Sequence, residues 1–162
     1  MIVGLGIDAC EIARIRKALE APSGARFRAR VFTPDEQAAC EGTGRRVRWE
    51  SYAARFAAKE AAMKALGTGW SAGVTFADVE VVRDGDGPPA LRLHGEAAAV
   101  ARRRGVVRWH LSLTHTDALA VAVAVAEADG PVRAAGPSRS ATPRGAAAGS
   151  ARPRPRSRPE TR

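Results

Sequence analysis

Residues 49–69 read WESYAARFAAKEAAMKALGTG, and their alanine-rich composition predicts a long, largely buried helix over Trp49 to Leu66, ended by Gly67-Thr68-Gly69. Phe56, Glu60 and Lys64 recur at every fourth position and so share one face, with Lys59 a step round from them. An acid and a lysine one turn apart are commonly a solvated pair worth about 0.2–0.5 kcal/mol. In a helix otherwise made of Ala, Phe and Met, the same charges have a second reading, as groups aimed at a ligand.

Upstream, Met1 to Ile7 places Val3, Leu5 and Ile7 at period two with glycines between them, the pattern of a strand whose glycine face is closely approached by something else. Asp8 is expected at its end. Ile12, Ile15 and Leu19 then have helical spacing, stopped by Pro22 and Gly24. Phe27 and Phe32 flank an arginine-rich stretch, Arg26, Arg28 and Arg30. Thr33-Pro34-Asp35-Glu36 opens a second helix to about Glu41, with Thr as N-cap, Pro at the first position and acids in the first turn. Gly42 to Arg48 reads as a loop.

Downstream of Gly73 the pattern predicts a hairpin: a strand around Phe76 to Val82, a turn through Asp84-Gly85-Asp86-Gly87, and a strand at Ala90 to Leu93. Gly95 to Arg104 reads as a helix stopped by Gly105. Trp109 to Leu113 and Leu119 to Val125 alternate large apolar residues and read as strands joined by a turn holding Thr114, His115, Thr116 and Asp117. The fold class is therefore α+β, an antiparallel sheet with packed helices around one long central helix.

The chain of 162 residues carries a net charge of +9, which would ordinarily suggest a nucleic-acid or membrane-surface partner. Eight of the arginines and a single glutamate, however, lie beyond Gly130, so most of that charge belongs to the tail. The expected division is a folded domain over 1–130 and a disordered Arg/Pro/Ala-rich tail over 131–162, whose only large apolar residue is Val132. Aromatic residues make up 5% of the chain and the tail has none, which disfavours a stacking nucleic-acid groove. A GxxxxGK[ST] phosphate loop is absent. Cys10 and Cys40 have no CxxC spacing and read as reduced thiols. The N-terminus lacks a basic n-region, and the longest apolar run, Ala118 to Ala126, falls far short of the roughly 20 residues of a membrane helix. A cytoplasmic location is expected.

Several side chains could carry chemistry. A carboxylate after an apolar strand is costly unless it is paired, caps a helix or binds a cation, so Asp8 either caps the helix that follows or, brought near Glu60, completes an oxygen site for magnesium. His115, flanked by hydroxyls in Ser112-Leu113-Thr114-His115-Thr116, could hold a phosphate; a simple polar hairpin turn has the same composition. His94 and His110 fall within strand patterns and read as structural.

Taken together, Gly6-Ile7-Asp8-Ala9-Cys10-Glu11-Ile12-Ala13-Arg14-Ile15, the run from Arg55 to Gly69, and Ser112 to Thr116 resemble the holo-acyl-carrier-protein synthase family of phosphopantetheinyl transferases. The match covers roughly Met1 to Glu127; Cys10 stands where the family often has an aliphatic residue. The resemblance implies the phosphopantetheinyl transferase fold and transfer of the phosphopantetheine arm of coenzyme A to a serine of an apo acyl carrier protein. It implies that Asp8 and Glu60 hold Mg2+, that Lys64 contacts the transferred phosphate, and that Ser112, His115 and Thr116 hold the 3′-phosphoadenosine end. Arg14, Arg26, Phe27, Arg30 and Phe56 are implied to dock the acidic carrier. A homotrimer with active sites between subunits is also implied, His115 of one copy serving Asp8 and Glu60 of another.

Overall fold

The structure, a computed structural model, describes residues 1–42, 47–69 and 73–130. The tail expected over 131–162 and residues 43–46 of the expected loop lie outside the described residues.

Strand β1 (Ile2–Glu11) pairs antiparallel with β5 (Leu119–Ala128), which pairs on its other side with β4 (Val106–His115), giving a three-stranded sheet of order β1-β5-β4. Helix α4 (Trp49–Ala65) lies across one face of it. Strict alternation decides what meets the helix. On β5, Ala120, Ala122, Ala124 and Ala126 are fully buried against it. On β1 the inward residues are Gly4, Gly6, Asp8 and Cys10, while Leu5 and Ile7 stay 66% and 59% exposed on the opposite face.

The glycine face is approached as the sequence pattern predicts. A Cβ at Gly4 would stand 2.1 Å from the Ala65 carbonyl oxygen, and one at Gly6 1.9 Å from that of Ala61. Backbone therefore packs on backbone, and the small alanines along α4 keep the helix low on the sheet.

Three expected boundaries differ. β1 continues to Glu11 because its pairing with β5 runs on to Glu11↔Leu119, so Asp8 lies inside the strand, four residues before α1 (Ile12–Glu20). The N-cap of α1 is Glu11, so Asp8 caps no helix. The arginine-rich stretch forms a helix of its own, α2 (Gly24–Val31). Phe76–Asp78 is a 3₁₀ turn whose capping box joins Thr75 and Asp78, and strand β2 begins only at Val79.

Strands β4 and β5 also run longer than expected, through His115 and Ala128 respectively, and the other elements fall where expected. Helix α3 (Pro34–Glu41) opens on a capping box in which Thr33 Oγ1 accepts from the Glu36 amide at 3.2 Å and Glu36 Oε2 accepts from the Thr33 amide at 2.9 Å. Strands β2 (Val79–Arg83) and β3 (Pro89–Leu93) make the hairpin, and α5 (Gly95–Arg103) follows. Among the described residues no helix is long and apolar enough to cross a membrane.

Candidate active site

Asp8, on the inner face of β1, and Glu60 and Lys64, one turn apart on α4, line a single cleft. The close approach of α4 at Gly4 and Gly6 is what brings strand and helix side chains together there. Lys64 Nζ donates to Asp8 Oδ1 at 2.7 Å and to the Ile7 carbonyl at 2.9 Å. The lysine side chain remains about half exposed, so an anion entering the cleft has access to it.

The same cleft is lined by Arg14 and Ile15 from α1, Phe27 from α2 and Phe56 from α4. The Phe27 and Phe56 rings stack with centroids 6.5 Å apart, and Phe56 stacks in turn on Phe76 at 5.1 Å. Arg26 and Arg30 are exposed on α2, and Arg30 lines an adjoining apolar groove with Val31, Met63, Val74 and Phe76. Arg28 leaves this group, since its guanidinium pairs with Glu41 at 3.0 Å. Of the docking residues expected from the sequence, Arg14, Phe27 and Phe56 line the cleft with Asp8, Glu60 and Lys64 and Arg30 lines the adjoining groove, whereas Arg26 lines neither.

His115 lies elsewhere. It lines a second cleft of about 550 Å3 on the other flank of α4, together with Arg48, Ser51, Arg55 and Arg83, and shares no lining residue with the first. Arg55 Nε is buried without a hydrogen-bond partner, and three arginines around one imidazole suit a phosphorylated anion. Sequence reasoning missed Arg48, Arg55 and Arg83 as a group because Arg83, on β2, joins the N-cap residue Arg48 and Arg55 of α4 only through the tertiary fold.

The structure does not gather the hydroxyls around His115. Because β4 extends through His115, alternation turns Ser112 to the face opposite Leu113 and His115. Thr116 Oγ1 accepts from the amides of Ala118 and Leu119 at 3.3 and 3.1 Å and so serves the β4–β5 turn. His94 and His110 have structural partners, at 2.9 Å from Glu80 and from Glu127 respectively.

Lys59, the step round from Glu60, is fully buried. Its ammonium meets Glu36 Oε2 at 2.7 Å and donates to the carbonyls of Phe76 and Val79. Burial pulls the Lys59 pKa below its ordinary value against the opposing charge of Glu36.

Among the described residues Asp8 and Glu60 are the only carboxylates lining the first cleft, and no three His, Cys, Asp or Glu side chains cluster as a metal cage. Two hard oxygen donors beside an open space suit magnesium, which commonly takes one or two carboxylates and fills its shell with water and phosphate oxygens. They do not suit a closed zinc site.

The chain is similar to one family of known proteins. The family model of the 4′-phosphopantetheinyl transferase superfamily matches residues 4–124. The holo-[acyl-carrier-protein] synthase of Anaeromyxobacter sp. (strain K) is 53% identical over 133 residues, covering 81% of this chain and 100% of the relative. That of Koribacter versatilis (strain Ellin345) is 48% identical over 127 residues, covering 78% and 99%. A crystal structure of a holo-(acyl-carrier-protein) synthase from Bacillus anthracis str. Ames in complex with CoA (3′,5′-ADP) superposes with a TM-score of 0.63 at 38% identity, covering 79% of this chain and 98% of that one. The synthase from Neisseria meningitidis superposes with a TM-score of 0.69 at 31% identity, covering 78% and 99%.

Proposed function

The chain belongs to the 4′-phosphopantetheinyl transferase superfamily, and from that membership we propose that it moves the 4′-phosphopantetheine arm of coenzyme A onto a serine of an apo acyl carrier protein, releasing 3′,5′-ADP. The observation that carries the reading is the convergence of Asp8, Glu60 and Lys64 in one cleft beside Arg14 and the stacked Phe27–Phe56 pair.

Phosphoryl transfer asks the protein mainly for positioning and charge neutralisation. The serine hydroxyl oxygen attacks the β-phosphorus of coenzyme A and gives up its proton to solvent, the bond from that phosphorus to the bridging oxygen breaks, and the electron pair leaves with 3′,5′-ADP. Lys64, half exposed and already donating into the cleft, is the cation that meets the transferred phosphate. Asp8 and Glu60 would hold Mg2+, which when bound neutralises pyrophosphate charge. Arg14, Arg26 and Arg30 give an acidic carrier a basic approach, with Phe27 and Phe56 as its apolar anchors.

The second cleft, with His115, Arg48, Arg55 and Arg83, is the half that would take the 3′-phosphoadenosine. Its separation from Asp8 within one chain supports a homotrimer in which one copy's His115 cleft completes another copy's Asp8 cleft. The outer sheet face supports the same reading. Leu5 and Ile7 are exposed there beside Val121, Val123 and Val125, and Ser112 lies on that face too, where a neighbour would reach it. Thr116 would act on the nucleotide by holding the turn that ends in His115. Coenzyme A and an acyl carrier protein as substrates support a cytoplasmic location.

The test incubates the purified chain with apo acyl carrier protein, coenzyme A and MgCl2 and weighs the carrier by mass spectrometry. A gain of one phosphopantetheine, lost with Glu60→Gln and with EDTA, is expected. No gain from folded protein that binds coenzyme A would overturn the reading.

A further inference from the structure

Helix α4 is rich in buried alanine, Ala53, Ala54, Ala57, Ala58, Ala61, Ala62 and Ala65, with Tyr52, Phe56 and Met63 as its large buried apolar residues. Small identical side chains permit close approach to the sheet, but they supply few of the interlocking ridges and grooves that specify how a helix is turned about its axis. The Gly4 and Gly6 contacts are with the helix backbone and set its distance from β1. The ring contacts of Tyr52 and Phe56 and the Lys64–Asp8 pair restrict its rotation, but rotation has to be held closely, because successive residues are separated by about 100°, and a fraction of that angle would carry Glu60 away from Asp8.

Lys59 is placed to hold it more narrowly than ring packing does, through three directional contacts. Of its three ammonium hydrogens, one meets Glu36 at 2.7 Å and two meet the carbonyls of Phe76 and Val79, fixed backbone groups of the 3₁₀ turn and of β2. Glu36 is itself held: its Oε1 accepts from the Val81 amide at 2.9 Å and its Oε2 from the Thr33 amide at 2.9 Å. Thr33 Oγ1 passes the connection to Glu80 at 3.0 Å, which His94 and Arg92 hold in turn. The ammonium thus joins α4 to α3, the 3₁₀ turn and the hairpin in a geometry with little tolerance.

A buried ion pair of this kind is a poor source of stability, since apolar residues of similar volume often serve as well or better. We propose that the Lys59–Glu36 pair is a positioning device for catalysis: it pins the rotation of α4 and thereby holds Glu60 on the Asp8 side of the cleft. Lys59 touches no substrate; it acts through the residue next to it. The inference rests on the transferase reading for the role of Glu60.

The test replaces the pair by apolar residues, Lys59→Met with Glu36→Leu, and in parallel by neutral hydrogen-bonding ones, Lys59→Gln with Glu36→Gln. Three quantities are measured in each folded variant: the thermal midpoint, Mn2+ binding by electron paramagnetic resonance in the presence of coenzyme A, and kcat and KM for the carrier. The expected result is a thermal midpoint at or near that of the wild type, Mn2+ affinity weakened tenfold or more, and kcat lowered tenfold or more with the carrier KM unchanged. A merely structural role would lower the midpoint and leave Mn2+ affinity per folded molecule where it was, and that outcome overturns the proposal. So does a folded variant with wild-type Mn2+ binding and kcat. If neither variant folds, the pair is a requirement of the fold rather than a positioning device, and the proposal fails. Wild-type protein that neither binds Mn2+ nor modifies the carrier would instead sink the transferase reading.

Discussion

Lys64 Nζ sits 2.7 Å from Asp8 Oδ1, tying the C-terminal half of α4 to the middle of β1 across a solvent-accessible cleft. The lysine is about half exposed, so the pair adds little to stability, of order 1 kcal/mol or less after solvent screening. Its value lies in holding an anion and a cation ready side by side. Asp8→Asn is expected to lower kcat by about 10²-fold or more, on the scale of losing one transition-state group, while the thermal midpoint shifts by only a few degrees. Rates by mass spectrometry and a thermal melt on the same preparation check both. A large fall in midpoint would show that Asp8 is structural.

Two clefts with no common lining residue make a mixing experiment decisive. Glu60→Gln and His115→Ala variants, each strongly impaired alone, are expected to recover activity when co-expressed. Random assembly leaves about a quarter of the sites with both intact halves. No recovery from a mixed oligomer would mean that each chain works by itself.

The glycine face of β1 gives a stability prediction. Gly6→Ala sets a methyl group 1.9 Å from the Ala61 carbonyl oxygen, with α4 backbone as the only thing to yield. The cost is expected at the upper end of overpacking or beyond, at least about 3 kcal/mol. A thermal midpoint lowered by roughly 10 °C or more checks it. Leu5→Ser, on the opposite face, is expected to leave the fold of one chain nearly unaffected and to weaken association.

Acid should unfold the protein partly through Glu80. Burial alone would raise its carboxyl pKa, but hydrogen bonds from His94 and Thr33 and the charge of Arg92 outweigh it and hold the value below the ordinary 4.5. Between the two values the unfolded chain binds the extra proton, so the contribution is complete above pH 4.5 and is lost as pH falls through the lower, folded value. Thermal midpoints measured from pH 7 to pH 3 should be flat above about pH 5 and then decline. Glu80→Gln should shallow the decline; an unchanged slope would remove Glu80 as a contributor.

Much of this was legible because it is periodic or local. The four-residue spacing of Phe56, Glu60 and Lys64 becomes one wall of the cleft, the glycines of β1 become the surface on which α4 lies, and Thr33-Pro34-Asp35-Glu36 becomes a capping box. What escaped is long-range or hidden by composition. Nothing near Glu36 announces that, besides closing its capping box, it neutralises Lys59 twenty-three residues on. Helix α2 signals itself only weakly, because Phe27 and Val31 are its only large apolar residues among arginines, alanines and a glycine. The end of β4 was read as a turn because Thr114 and His115 are polar, yet their backbones go on pairing with Val121 and Ala120, and that extension sends Ser112 and His115 to opposite faces.

The alternation of β1 also limits how this chain can change length. With Asp8 facing inward and Ile7 outward, inserting or deleting one residue between Gly4 and Asp8 would exchange the two faces. It would bury an isoleucine where the carboxylate belongs and force a side chain against the Ala61 carbonyl. Only changes of two residues keep the pattern in phase. Frameshift-free indels in this segment should therefore be tolerated in even steps or not at all, a constraint written in backbone geometry before any reaction is considered.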